Sequence, residues 1–181
     1  MCQVSFDVLH CHRTGGTVSG IIVYRSSYGS TKQYAEWIHD ETGFPVFESR
    51  DDSIPWDADT VVIGCPIIAN KPTLLGWMQK HWHQLKRKNV ILFTTSGADP
   101  ATEPVKEWID KALPATMKDH VAVFPLAGRF EFAKLGRMHK AMMRLGAILL
   151  RSEEIKNQIK NPIDGVAREN LTTLLQHLRE S

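Results

Sequence analysis

From Gly20 onward the chain alternates short, β-branched apolar runs with longer segments whose apolar residues recur every three or four positions. Continuous apolar runs of strand length suit strands buried on both faces, and the intervening spacing suits helices that cover them. The pattern predicts strands at 20–25, 45–48, 60–64, 89–94 and 120–125. A first helix carries Tyr34, Ala35 and Ile38 on one face and stops at Gly43. A second, after Pro72, is marked by Leu74, Met78, Trp82 and Leu85, and Thr102 is placed to cap a third that buries Val105, Trp108, Ile109 and Ala112. A final helix over 164–179 presents Leu171, Leu174, Leu175 and Leu178. The stretch "RDDSIPWDAD" between the second and third strands is too short for a full helix, so that crossover is abbreviated. The expected fold class is therefore α/β, a three-layer sandwich around a five-stranded parallel sheet. Such sheets are commonly ordered 2-1-3-4-5 and open a ligand crevice at the carboxyl ends of the first and third strands.

With 181 residues, 43% of them hydrophobic, the chain suits a single domain over residues 20–181. Residues 1–19 show no period and end in a Gly/Ser/Thr-rich link, and are expected to form a flexible N-terminal extension. Within it, the adjacent His10, Cys11 and His12 would point to opposite faces of an extended segment, with only Cys2 and Asp7 nearby, so no metal site is expected. Cys2, Cys11 and Cys65 form no CxxC pair, which argues against a disulfide framework or a zinc site and favours a reducing, cytoplasmic setting. No apolar run approaches the roughly twenty residues that span a bilayer, and the N-terminus lacks the pattern of a signal peptide. A net charge of +2 gives no case for a nucleic-acid partner.

The chemistry begins at "SSYGST", which joins the first strand to the first helix at the crevice end of the sheet. A helix N-terminus offers backbone N–H groups without intrahelical acceptors and a partial positive charge, and short hydroxyl side chains add donors without blocking close approach. The combination suits a phosphate, and backbone donors make a lysine unnecessary. The loop matches neither G-x-x-x-x-G-K-[ST] nor G-x-G-x-x-G, so the fingerprints of nucleoside triphosphates and dinucleotides both fail.

The longer run "VYRSSYGSTKQYAEWI" resembles the flavin mononucleotide (FMN) phosphate loop of flavodoxins, specifically of flavodoxin-like proteins related to menaquinone-dependent protoporphyrinogen dehydrogenase. "DTVVIGCPIIANKP" is similar to that group's third strand and its loop, "ILFTTSGADP" to the fourth strand and its loop, and "PLAGRFEFAKLGRMHKAMMRL" to the segment after the fifth strand. The resemblance implies FMN as cofactor, with its phosphate on Ser26, Ser27, Tyr28, Gly29, Ser30 and Thr31. It implies an isoalloxazine ring between one loop of Pro66, Ile67, Ile68, Ala69, Asn70 and Lys71 and another of Thr95, Ser96, Gly97, Ala98 and Asp99. Flavodoxin-like proteins often stack an aromatic side chain on the flavin, yet neither of these loops contains one. Apolar contact or Tyr28 would have to replace it. Cys65, at a strand end beside this site, has no basic neighbour in sequence to lower its thiol pKa and reads as a packed core residue rather than a redox centre.

Residues 128–151 differ in charge from everything else. Six basic residues stand there against Glu131 alone, a net of +5, and since the whole chain carries +2 the remainder carries −3. On a helix over about 134–150, Leu135, Met138, Met142, Leu145 and Leu149 would share a face, with Lys134, Arg137, Lys140 and Arg144 on another. Three readings of this amphipathic basic segment stay open: a surface helix packed on its own domain, a lid for an anionic substrate or peripheral membrane contact, and a homodimer contact. The resemblance favours the second, because the heme-pathway enzymes act on a substrate with propionate groups and use a lipid quinone. The expected function is an FMN-dependent oxidoreductase exchanging electrons with a quinone or similar planar substrate, protoporphyrinogen among them. The alternatives are a flavodoxin-type electron carrier and a non-catalytic module that kept the fold and lost flavin. No catalytic acid or base is singled out, and His139 reads as a solvated histidine on the basic helix.

Overall fold

In a computed structural model of the chain, the described residues are 19–130 and 162–181, together with 132, 136, 137, 140, 141 and 145. Most of residues 1–19, most of the basic helix over 134–150 and His139 fall outside them. Five parallel strands form the main sheet: β1 (Gly20–Tyr24), β2 (Val46–Glu48), β3 (Thr60–Ile68), β5 (Asn89–Ser96) and β6 (Val121–Ala127). Their order is β2-β1-β3-β5-β6, with the two-residue β4 (Lys71–Pro72) paired antiparallel to the end of β3. Setting β4 aside, this is the expected order 2-1-3-4-5, and the fold is a flavodoxin-like α/β sandwich.

The sheet has two buried faces because alternate residues of each strand point opposite ways. Ile21, Val23, Val61, Ile63, Cys65, Val90 and Leu92 meet Met78 and Leu85 of α2 (Leu75–Lys80) and α3 (Trp82–Leu85), and Val105 and Ile109 of α4 (Glu103–Ala112). Ile22, Val62, Ile91 and Phe93 meet Tyr34, Ala35 and Ile38 of α1 (Ser30–Thr42) and Leu174 of the C-terminal helix (Thr172–Glu180). Each Val, Leu, Ile, Met or Phe side chain so taken out of water contributes roughly 1.5–3 kcal/mol before conformational entropy is counted. No helix spans the gap from β2 to β3, as the short crossover requires. In its place Ile54 and Ala58 pack on the sheet, while Trp56 stacks on Trp77 and His81 at centroid distances of 5.8 and 5.0 Å. No helix of the described residues is long and apolar enough to cross a membrane.

Several boundaries differ from the sequence expectations. β3 runs on through Pro66 to Ile68. Proline is tolerated there because β1 ends at Tyr24, opposite Gly64, so beyond that point one side of β3 has no parallel partner asking for an amide proton. The helix after Pro72 breaks into α2 and α3 at His81, whose backbone leaves the helical range (φ −100°, ψ 11°). Thr102 stands at the N-cap of α4 without capping it, since its hydroxyl donates instead to the Asp99 carbonyl at 2.7 Å. The final helix begins at Thr172 after a turn of 3-10 helix, Arg168–Leu171. Residues 163 and 164, expected at or next to its start, form β8 (Ile163–Asp164), antiparallel to β7 (Arg129–Phe130).

Candidate functional site

The loop between β1 and α1 is shaped by Gly29, whose φ of +88° is a conformation that side-chain-bearing residues rarely adopt. Gly29 is the N-cap of α1 and contributes no side-chain cap, so the helix's first-turn N–H groups keep no side-chain acceptor at that position. Ser26 closes the loop from within, its Oγ accepting the Gly29 N–H at 3.1 Å. Ser30 and Thr31, both buried, open α1. The Ser30 Oγ accepts the Arg129 N–H at 2.9 Å, which leaves its own proton to donate elsewhere, and Thr31 Oγ1 lies 2.9 Å from Thr95 Oγ1.

Facing this loop are the ends of β3, β5 and β6. Ile68 and Lys71 pair across a two-residue hairpin turn whose central residues, Ala69 and Asn70, have φ of +49° and +62°. Two consecutive positive φ values are the mark of a type I′ hairpin, which Asn accepts readily and Ala accepts at some strain. The Gly128 N–H donates to the Ser96 carbonyl at 2.7 Å, and a methyl added to Gly128 would lie 2.8 Å from that same oxygen. This close approach carries the chain over the end of β5 and into β7, so that Arg129 and Phe130 reach the site from a strand neighbouring neither β1 nor β3.

These walls form a cleft, open to solvent, lined by Ser27, Tyr28, Ser30, Thr31, Pro66, Ile67, Ile68, Ala69, Thr95, Ser96, Gly97, Gly128, Arg129 and Phe130. A mostly apolar cleft with a few convergent polar groups is the usual form of a small-molecule site. All three segments expected to bind cofactor meet in it. Six of the expected residues do not line it. Ser26 and Gly29 shape the loop, Asn70 and Lys71 are exposed at the hairpin, and Ala98 packs toward the core. Asp99 turns its carboxylate to the Ala101 N–H, 2.9 Å away. Gly128, Arg129 and Phe130 are absent from the segments expected to bind cofactor, since "GRF" reads as the start of the basic segment over 128–151. A signal did exist: the order of the sheet puts the residue after β6 beside the residue after β5.

The formal charge of the cleft lining is that of Arg129, whose Nε donates to Asp164 Oδ2 at 2.8 Å. Burial pushes the Tyr28 hydroxyl above its ordinary pKa, with the Gly136 backbone pulling the other way, so it remains a neutral phenol near neutrality. Cys65 is fully buried; burial raises its thiol to about 11, and the hydrogen bonds from Leu74 and Thr73 and the charge of Arg25 oppose that rise without cancelling it. It is a packed core residue.

The family model described as a flavodoxin domain matches residues 21–151, close to three quarters of the chain. The chain belongs to the flavodoxin-domain family. Comparison with curated proteins returns no match. Among solved structures, this flavodoxin domain is similar to a flavoprotein in complex with FMN from Lactobacillus acidophilus, at 21% identity and a TM-score of 0.42 over 60% of this chain and 91% of that one. It is similar to a WrbA-like flavodoxin from Agrobacterium tumefaciens, at 16% identity and a TM-score of 0.46 over 61% and 83%. A third is the rubredoxin oxygen:oxidoreductase of Desulfovibrio gigas, at 17% identity and a TM-score of 0.41 over 86% of this chain and 37% of that one.

Proposed function

We propose that this flavodoxin domain binds FMN in the cleft and works as an oxidoreductase that exchanges electrons with a quinone or similar planar substrate, the oxidation of protoporphyrinogen being one reaction it would serve. The observation that carries the reading is the meeting of a hydroxyl-rich helix N-terminus with an apolar slot at the carboxyl ends of β1, β3 and β5. The donor set fits a flavin monophosphate. First-turn amides with the Ser27, Ser30 and Thr31 hydroxyls suit a phosphate, while Pro66, Ile67, Ile68 and Gly97 suit a flat, largely apolar ring. When bound, a flavin supplies hydride and single-electron chemistry of its own. The chain would position it, exclude water from one face and offer the neutral Tyr28 hydroxyl as a hydrogen-bonding group at the rim. Arg129 would favour the more negatively charged state of whatever occupies the cleft.

The substrate class rests on the resemblance of residues 125–145 to heme-pathway flavoproteins and on the +5 charge of residues 128–151, which suits a substrate with carboxylates and a cytosolic protein working at an anionic membrane surface. The test begins with the visible spectrum of fresh protein with and without added FMN. Flavin bands and saturable binding are expected, and their absence would sink the reading. Turnover of protoporphyrinogen with a menaquinone analogue is then expected for the enzyme, whereas flavin binding without turnover would leave only an electron carrier.

A further inference from the structure

The two loops expected to flank the flavin ring contain no aromatic residue, and among the described residues the aromatic side chains that line the cleft are Tyr28 and Phe130. Tyr28 belongs to the phosphate end. Phe130 lies against the end of β5, where a methyl built on Gly97 would sit only 2.8 Å from its Cβ. The absent side chain of Gly97 is therefore the space that Phe130 occupies. Among the described residues no other ring packs on Phe130, and it is only partly buried where it lines the cleft, so part of its surface is open to a ligand there.

Its position is fixed by long-range ties rather than by a loop. Phe130 pairs with Ile163 in the β7–β8 ribbon, Arg129 beside it is ion-paired to Asp164, and the Gly165 N–H donates to the Gly128 carbonyl at 3.1 Å. On the other side the Arg129 N–H is bonded to Ser30 Oγ, the first residue of α1. One peptide unit thus joins the phosphate end of the cleft to the residue that would meet the ring.

From this geometry we infer that Phe130 is the stacking platform of this site: its ring, carried in by the β7–β8 ribbon over Gly97, covers one face of the bound isoalloxazine in place of the aromatic that the two loops lack. The inference rests on the flavin reading above and adds a residue outside all the segments expected to bind the cofactor. Aromatic stacking adds to the affinity that buried area supplies, so loss of the ring should be felt by any ligand that presents the same tricycle.

Calorimetric titration with FMN and with riboflavin, which shares the ring and lacks the phosphate, tests it. Phe130→Ala should weaken both ligands by about tenfold, equally, since both lose the same ring contact. Phe130→Trp should retain both affinities, and Phe130→Leu, which keeps apolar bulk without an aromatic face, should fall between. Ser30→Ala, by contrast, should weaken FMN more than riboflavin. If Phe130→Ala and Phe130→Leu, shown to be folded by circular dichroism, bind both flavins within twofold of the parent, Phe130 is no platform and the inference is overturned while flavin binding stands. If the parent itself binds neither flavin, the inference and the flavin reading fall together.

Discussion

The two ends of the cleft are built in opposite ways. At the phosphate end, four residues of one six-residue run, Ser26 to Thr31, form the wall, and its shape follows from one glycine at φ +88° and the start of one helix. At the ribbon end, Arg129 and Phe130 are placed by partners 33 or more positions away in sequence: Ser30, Gly97, Ile163 and Asp164. A wall made from neighbours in sequence is specified by local conformational preference. A wall made from distant pieces inherits its geometry from the sheet and fails when the sheet's register shifts.

The largest disturbance is expected where both walls share a support. The hydroxyl of the fully buried Tyr34 donates to the Ala127 carbonyl at 2.8 Å, just before Gly128, and accepts from Asn170 Nδ2 at 2.7 Å, while its helix carries Ser30 and Thr31. Tyr34→Ala should cost about 3–5 kcal/mol in denaturant unfolding, as for other large-to-small aromatic core changes, and should weaken FMN binding at both ends. Tyr34→Phe, which keeps the ring but takes a donor from the Ala127 carbonyl and one of the two acceptors of Asn170 Nδ2, should cost about 1–3 kcal/mol.

Next in size is the pH response of Cys65, in the stretch of β3 that leads from the core into the cleft. Its thiol is raised in the folded state to about 11 from an ordinary 9.0, so the stability it confers is fully present below pH 9 and is lost as pH rises toward 11. The loss should amount to about 2–3 kcal/mol and should vanish from the pH profile of unfolding in Cys65→Ala. At pH 8 the native protein should resist alkylation at this thiol until it unfolds.

Gly128→Ala strikes the ribbon end alone. Its new methyl would press on the Ser96 carbonyl oxygen, a backbone atom that cannot step aside, at 2.8 Å. A cost of about 1–3 kcal/mol is expected, with weaker binding of FMN and riboflavin alike. Gly29→Ala strikes the phosphate end, where there is room for the methyl but the φ of +88° opposes it. About 1–2 kcal/mol of stability should be lost, and FMN affinity should suffer more than that of riboflavin. Unequal losses in Gly128→Ala, or equal ones in Gly29→Ala, would show that the two ends do not divide the ligand in this way.

The smallest effect belongs to the Arg129–Asp164 pair, whose side chains are 37% and 55% exposed. Asp164→Asn should change stability by no more than about 1 kcal/mol and reduce its salt dependence, because exposed ion pairs are weak and screened. An effect several times larger would mean that the ribbon depends on that charge more than on its strand pairing.

Much of this was legible in the chain. Apolar runs gave all five parallel strands, because burial on both faces leaves β-branched residues little alternative, and Gly43 ended α1 as expected with φ +74°. Boundaries were legible only where a local signal marked them. The third strand was expected over 60–64, and the end of β1 at Tyr24 explains how it runs on through Pro66. Thr102 looked like a cap because its residue type and position fit, while its hydroxyl found a nearer carbonyl.

By itself, then, the sequence determined the layered α/β architecture and the loop from Ser26 to Thr31, since periodicity, glycine conformation and helix-end polarity act over a few residues. The tertiary structure alone decided that Phe130 meets Gly97 and that Arg129 reaches Ser30. Those contacts depend on β6 lying beside β5 and on a ribbon closed by residues 163 and 164, and no short-range preference encodes a pairing between segments so far apart along the chain.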